Sequence, residues 1–184
     1  LADLDFMRTY TDAPLLVRAD TGKRLLASDL DAGIDAADPT ARRYVVWDQT
    51  TSTAVVIPID RLGLPDGIDA ALDGSHPVTL ADDTTVEVSP GFVHVTAELE
   101  GFTPELTAEI TGLDPELVRK VARAYATADL AAILMGAGSN HWYHGDLTGR
   151  AFALLAALTG NIGRSGGGFS VYVGQYKVRV DTSP

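Results

Sequence analysis

The chain has no cysteine among its 184 residues. Disulfides, thiolate zinc sites, cysteine-ligated iron–sulfur clusters and a cysteine nucleophile are therefore excluded from this segment. It also lacks any uninterrupted apolar run near the roughly 20 residues that a membrane helix needs. We expect neither a transmembrane segment nor a targeting leader in the residues given, and a chain that starts on Leu1 and stops at Pro184 could be an excerpt.

Basic residues are scarce, and lysine most of all. Only 3 of the 14 basic residues are Lys, while 19 of the 25 acidic residues are Asp, and the net charge is −11. Residues 1–100 hold 18 acids and 7 bases, a net of −11, whereas residues 101–184 hold 7 of each, a net of 0. Without a basic stripe, the chain is not expected to bind duplex nucleic acid. A halophilic source and a GC-rich genome both explain the aspartates, and the neutral half is the place expected for an anionic cofactor.

The composition, 46% hydrophobic with a mean hydropathy of +0.08, is that of a folded globular protein. Residues 2–10 resemble the last turns of a helix. Pro14–Arg18 predicts a strand, and Lys23–Ala27 predicts the return strand that pairs with it. Alternating runs around polar turns predict two hairpins, Tyr44–Asp48 with Thr53–Pro58 and Val78–Leu80 with Thr84–Val88.

The second half has a helical pattern that is interrupted by two strands. Thr103-Pro104 and Asp114-Pro115 are helix-start signals. The order strand Leu130–Met135, helix Asp146–Thr159, strand Phe169–Val173 is typical of a parallel layer. The predicted class is α/β, part of a Rossmann-like parallel-sheet layer with a β-rich inserted section. The predicted boundaries are 1–18 for the end of a preceding α/β segment, 19–90 for a β-rich acidic surface insertion, and 91–184 for an α/β cofactor-binding segment.

A glycine turn follows the first of these strands. Gly136-Ala137-Gly138 matches two glycines of the dinucleotide fingerprint, but His141 occupies the third position. A tight turn that needs small residues explains the same pattern. In an α/β protein such a turn can also bring backbone N–H groups to a phosphorylated ligand.

A polar and aromatic cluster, Asn140-His141-Trp142-Tyr143-His144, comes next. The carboxyl end of a strand is where open α/β sheets bind ligands. Hydrogen bonding and stacking on a large planar ligand is the favoured role. A metal held by His141 and His144 lacks a convincing third ligand, and aromatic packing at a domain interface stays open.

A second glycine-rich loop, Gly166-Gly167-Gly168, is backbone that a phosphate can approach closely, or simply a flexible loop. Arg164 and Lys177 flank it with positive charge. The amide of Gln175 could bind a purine-like edge.

Several of these stretches, in their order and spacing, carry a family resemblance: Tyr10–Val17, Ala108–Gly112, Gly136–His144, Thr159–Gly163, Gly166–Gly168 and Tyr172–Arg179. The chain resembles the catalytic subunit of molybdenum enzymes of the dimethyl sulfoxide reductase family. It is most similar to the respiratory nitrate reductase-like branch, which also holds perchlorate, chlorate and selenate reductases and dehydrogenases of dimethyl sulfide and ethylbenzene. The similarity covers about residues 2–20 and 91–184.

The resemblance implies a molybdenum held by two pterin guanine dinucleotides and a two-electron oxygen-atom transfer or hydroxylation. It places Asn140, His141 and Trp142 toward the substrate funnel as candidate catalytic residues, with no protein ligand to the metal in this segment. The candidate cofactor-binding residues are Gly136, Gly138, His144, Gly166, Gly167, Gly168, Gln175 and Lys177. Both glycine loops are expected to converge on the same bulky anion.

The family pattern also includes an amino-terminal iron–sulfur motif and a carboxylate on molybdenum upstream of Tyr10, and a guanine-binding barrel downstream of Arg179. We therefore expect an internal fragment, inactive alone. Its implied partners are the rest of its own subunit, an iron–sulfur electron-transfer subunit and a small oxyanion, and a membrane-associated or extracytoplasmic location is suggested. Nitrate is the favoured acceptor. Chlorate, perchlorate, selenate, a hydrocarbon or sulfide, and a stand-alone non-catalytic binding domain are the alternatives.

Overall fold

The computed structural model describes residues 1–35, 38, 43–58 and 63–171. The chain divides into two compact units. The larger unit is Leu4–Lys120, and the smaller unit is Leu1–Asp3 together with the chain from Val121 onward. The predicted segment boundaries, between residues 18 and 19 and between residues 90 and 91, stay predictions.

The larger unit begins with antiparallel β structure. Both predicted hairpins are confirmed, since β2 pairs with β3 and β4 pairs with β5, while β1 adds to β5 to give the order β1-β5-β4. The elements are α1 (Leu4–Tyr10), β1 (Leu16–Arg18), α2 (Ala27–Leu30), β2 (Val45–Asp48), β3 (Thr53–Val56), β4 (His76–Thr79) and β5 (Thr85–Pro90).

The expected return strand Lys23–Ala27 is wrong in its second half. The two segments pair only as far as Leu25, through the bridge of Val17 with Arg24 and two backbone bonds of 2.8 Å, from Arg18 N–H to the Lys23 carbonyl and from Leu25 N–H to the Leu16 carbonyl. Leu26 then bridges to Tyr44 instead. The carboxylate of Asp29 accepts the N–H of Leu26 at 2.8 Å, and the short helix α2 starts at Ala27.

The core of the larger unit combines residues from before and after position 19. Leu16 of β1 is fully buried against the hairpins, so β1 and the β-rich section share one apolar cluster. Burial of such side chains is the main stabilising term in a unit of this size. The cluster is Leu16, Leu25, Val45, Val78, Leu80 and Val88.

Asp48, at the end of β2, is a buried carboxylate, 3% exposed. It accepts hydrogen bonds from the hydroxyl of Thr51 at 2.7 Å and from the backbone N–H of Asp69 at 3.1 Å. The Thr51 bond, followed by the backbone bonds, lowers the pKa of Asp48 below its usual range, because these donors stabilise the ionised form. The ionised side chain thus ties the β2–β3 turn to a loop 21 residues away.

Three helices follow, α3 (Gly91–Leu99), α4 (Pro104–Thr111) and α5 (Pro115–Thr127). The predicted helix start at Thr103 is confirmed, since its hydroxyl accepts the N–H of Leu106 at 3.1 Å. Gly112, with a φ of 74°, ends α4 in the left-handed conformation that glycine adopts most readily. In the part of the chain that the structure describes, we find no candidate for a membrane-spanning helix.

The smaller unit contains a parallel strand pair, as the sequence predicts. β6 (Ala132–Met135) pairs with β7 (Gly168–Val171), and Ala132 stands opposite Gly168. Between them lie α6 (Ala137–Asn140) and α7 (Gly145–Leu158). The rings of Phe152 on α7 and Phe169 on β7 pack with centroids 6.2 Å apart, so α7 lies against this pair as a crossover helix does. The predicted α/β class is confirmed.

Candidate functional site

The carboxyl edge of the parallel pair is the candidate site. The register puts Met135 opposite Val171, so both strands end at the same edge. An open cleft of about 430 Å³ lies there, lined by Leu134, Met135, Gly136, Ser170 and Val171. The carboxyl ends of parallel strands are the common ligand position in open α/β sheets.

The turn that leaves β6 carries two glycines which the fold itself does not require. A Cβ atom added at Gly136 or at Gly138 would meet nothing within 4 Å. Neither residue is in the left-handed region, and Gly136 has φ −97° and ψ −177°, which any residue can adopt. Glycine inside a helix costs about 0.5–1 kcal/mol relative to alanine. The two positions are bare main chain facing open space, and this fits the close approach of an external group.

The aromatic cluster after the turn is exposed. Trp142 and Tyr143 are 78% and 91% exposed, and His141 and His144 are also exposed. The rings of Tyr143 and His144 lie against each other, with centroids 3.9 Å apart. Sealed aromatic packing within the smaller unit is therefore excluded for these side chains. They are available for hydrogen bonding and stacking.

His144 joins the cluster to α7 in an unusual backbone conformation. Its φ of 59° is in the left-handed region, which non-glycine residues seldom adopt. It is the residue before the first turn of α7, and its side chain makes no capping hydrogen bond. Asp146 already places a carboxylate in that first turn, where it complements the helix dipole. The glycine turn, rather than the start of α7, is consequently the better anion site.

Three candidate residues cannot be placed in this geometry. The backbone of Asn140 ends α6, but its side chain is not described. Gln175 and Lys177 lie outside the described residues, as do Tyr172–Arg179 of the family resemblance.

The second glycine loop lies at the opposite end of the strand pair, so the expected convergence of the two loops is wrong. Gly168 is level with Ala132, the first residue of β6, whereas Gly136 follows the last. Four residues of strand separate these levels, roughly 13 Å. The reason is the parallel register: one loop leaves a strand and the other enters its neighbour.

The glycines of the second loop have internal reasons. A Cβ at Gly167 would lie 2.6 Å from a methyl carbon of Leu130 and 2.9 Å from the carbonyl oxygen of Asn161. Gly166 and Gly168 have φ of 86° and 92°. Contacts with its own chain account for this loop, and a role in binding a cofactor phosphate stays a prediction.

The described residues contain no group of three or more His, Asp or Glu side chains that could hold a metal ion. His141 and His144 thus have no third ligand among these residues. The sequence reasoning missed the short helix α6 and the buried side chain of Asn161, whose partners lie up to 30 residues away.

Comparison with known proteins finds relatives that match nearly the whole chain. The chain is 37% identical to the respiratory nitrate reductase subunit alpha of Haloferax mediterranei over 97% of its own length and 19% of the relative's. It is 34% identical to the perchlorate reductase subunit alpha of Dechloromonas aromatica, over 96% of this chain and 21% of that one. It is 36% identical to the dimethylsulfide dehydrogenase subunit alpha of Rhodovulum sulfidophilum, over 88% of this chain and 17% of that one.

The chain belongs to the dimethyl sulfoxide reductase family of molybdopterin oxidoreductases. Membership implies a molybdenum cofactor in general. The chain spans about a fifth of the length of the curated relatives it matches. No family model matches it.

Proposed function

We propose that this chain is an internal segment of the catalytic alpha subunit of a nitrate reductase-like molybdenum oxidoreductase, and that its glycine turn helps bind the molybdopterin guanine dinucleotide. The observation that carries the proposal is the pair Gly136 and Gly138. Both are glycines without a steric or conformational need, and both face open space at the carboxyl edge of a parallel strand pair.

The residues at this edge would bind and orient the cofactor. Bare main chain at Gly136 and Gly138 allows a bulky anion to approach backbone N–H groups. The ring of His144 would hold the cofactor's polar edge. From the family resemblance, Asn140, His141 and Trp142 would belong to the substrate funnel. When bound, the cofactor supplies a two-electron oxygen-atom transfer or hydroxylation at molybdenum.

The whole subunit would carry two such dinucleotides and an iron–sulfur cluster outside this segment. Its partners would be the remainder of its own chain, an iron–sulfur electron-transfer subunit and a small oxyanion. Nitrate is the favoured oxyanion, since the relative with 37% identity is a nitrate reductase subunit. Perchlorate and dimethyl sulfide, in the names of other relatives, are the next substrates to assay.

The test is to fill the open space at the turn in the full-length subunit. In Gly136→Val the new side chain fits its own backbone but occupies the ligand's volume. We expect molybdenum and released guanine nucleotide to fall to about a tenth of wild type or less, since overlap costs more than about 1.4 kcal/mol. Metal analysis, nucleotide analysis and dye-coupled nitrate reduction are measured together with the melting temperature.

Gly101→Val is the matched control. Gly101 is an exposed glycine of the larger unit with nothing within 4 Å of an added Cβ and no left-handed φ. It should retain wild-type metal content. Equal molybdenum in Gly136→Val and wild type would contradict the role of the turn, and nitrate turnover by the isolated 184-residue chain would contradict the fragment.

A further inference from the structure

The side chain of Asn161 is buried at the amino end of the strand pair. The residue is only 2% exposed. Its carbonyl oxygen accepts the N–H of Ala131 at 2.9 Å, and its amide nitrogen donates to the hydroxyl of Thr159 at 2.8 Å. One side chain thus joins the residue that precedes β6 to the residue that follows α7.

The backbone of Asn161 forms part of the same junction. Its N–H donates to the carbonyl of Ala156 at 3.0 Å, and its carbonyl oxygen lies 2.9 Å from the Cβ position of Gly167. The next residue, Gly168, donates its N–H to the carbonyl of Ala131 at 3.0 Å. Asn161 and Gly168 therefore hold the two sides of one residue, Ala131, immediately before the strands pair.

This junction determines where β7 begins relative to β6. A slip of one residue would reverse the face of every side chain on β7. It would also move the carboxyl end of β7 at the candidate site by about 3.3 Å. The register that Asn161 holds at one end is thus transmitted along rigid strands to the other end.

We propose that Asn161 is a positioning residue for the cofactor edge: its side chain fixes the end of α7 to Ala131, the residue to which Gly168 also bonds, and so helps to set the position of β7 at the proposed ligand edge. This rests on the function proposed above. It gives the Thr159–Gly163 and Gly166–Gly168 stretches one shared role at the amino end of the strand pair.

The test uses the full-length subunit and two graded changes. Asn161→Ala removes all three side-chain bonds, one from Ala131 and two to Thr159. Thr159→Val removes the hydroxyl with little change in shape, and with it the bond from Asn161 and the bond to the carbonyl of Leu155. Thr159→Ser, which keeps the hydroxyl, is its conservative partner. We expect amide hydrogen exchange at Ala131 and Phe169–Val171 to accelerate about fivefold or more in Asn161→Ala, less in Thr159→Val, and not in Thr159→Ser. Molybdenum content should fall in the same order.

Val45→Ala is the control that distinguishes a positioning role from a general loss of stability, because it opens a cavity in the core of the larger unit. At an equal loss in melting temperature it should keep its molybdenum. The proposal is overturned if the Asn161→Ala and Thr159→Val subunits keep wild-type molybdenum while exchange accelerates, or if exchange does not change. If Asn161→Ala does not fold, the Thr159 pair decides in the same way. A wild-type subunit without molybdenum would instead refute the proposed function.

Discussion

At the scale of single residues, glycines with the same sequence signature have different causes in this protein. Gly136 and Gly138 have no neighbour within 4 Å of an added Cβ, whereas Gly167 has two under 3.0 Å. The contacts of the described chain therefore explain the glycine at position 167 but not those at 136 and 138. Free space around a glycine at the carboxyl edge of a strand pair is therefore the property that separates the candidate ligand turn from the packed loop.

This contrast predicts stability changes of opposite sign. Gly167→Ala should destabilise the protein by more than about 2 kcal/mol, because its methyl group would lie 2.9 Å from the backbone carbonyl oxygen of Asn161, which cannot move aside as a flexible side chain does. Gly138→Ala should stabilise it by about 0.5–1 kcal/mol through lower chain entropy in the unfolded state. Urea unfolding of the purified protein measures both. Similar values for the two variants would show that the loop is not packed as described.

At the scale of elements, the β2–β3 hairpin is held by an ionised carboxylate at its turn. Asp48 accepts from Thr51, Thr50 and Asp69, and its pKa is lowered, first by the Thr51 hydroxyl. A carboxyl whose folded pKa is depressed adds stability that is present above its unfolded pKa, near 3.9. That stability is lost as the pH falls through the folded pKa.

Asp48→Asn should therefore lower the melting temperature at pH 7, and the difference from wild type should shrink as the pH falls below about 4. Melting curves between pH 7 and the lowest pH at which both proteins remain folded measure this. Asp83→Asn, on an exposed turn, is the control and should show little difference at any pH. A gap for Asp48→Asn that stays constant with pH would mean that its ionised form is not favoured.

At the scale of the whole molecule, the charge is concentrated in the first 100 residues, and the larger unit contains nearly all of that stretch. Like charges at this density oppose the compact state, and salt screens them. The screening length falls from about 10 Å at 0.1 M salt to about 3 Å at 1 M.

We expect the melting temperature to rise by roughly 2–4 °C between 0.1 and 1 M KCl, which corresponds to about 1 kcal/mol for a chain of this length. Sucrose at equal osmolality stabilises by exclusion and does not screen charge, so it serves as the control. A melting temperature that is flat or falls with KCl, at constant pH, would show that acidic repulsion is not a significant cost.

Local elements were predictable because their signals lie within a few residues of each other. The Thr103 cap, both hairpins and the strand–helix–strand order of the smaller unit depend on short-range hydrogen bonds and on periodicity. The helix α2 was missed because it is only four residues long and its start depends on one side-chain bond, from the N–H of Leu26 to the carboxylate of Asp29. Family membership was predictable because several motifs in a set order are far more specific than any one of them.

The amino-acid sequence by itself determined both hairpins, the strand–helix–strand order of the smaller unit, the absence of cysteine chemistry in this segment, the acidic first half and the family. The tertiary structure alone decided that the glycine loops occupy opposite ends of a parallel pair, and that Asn161 reaches Ala131 across 30 residues. The physical reason is that strand register is set by hydrogen bonds between distant residues, whose pairing no local pattern records.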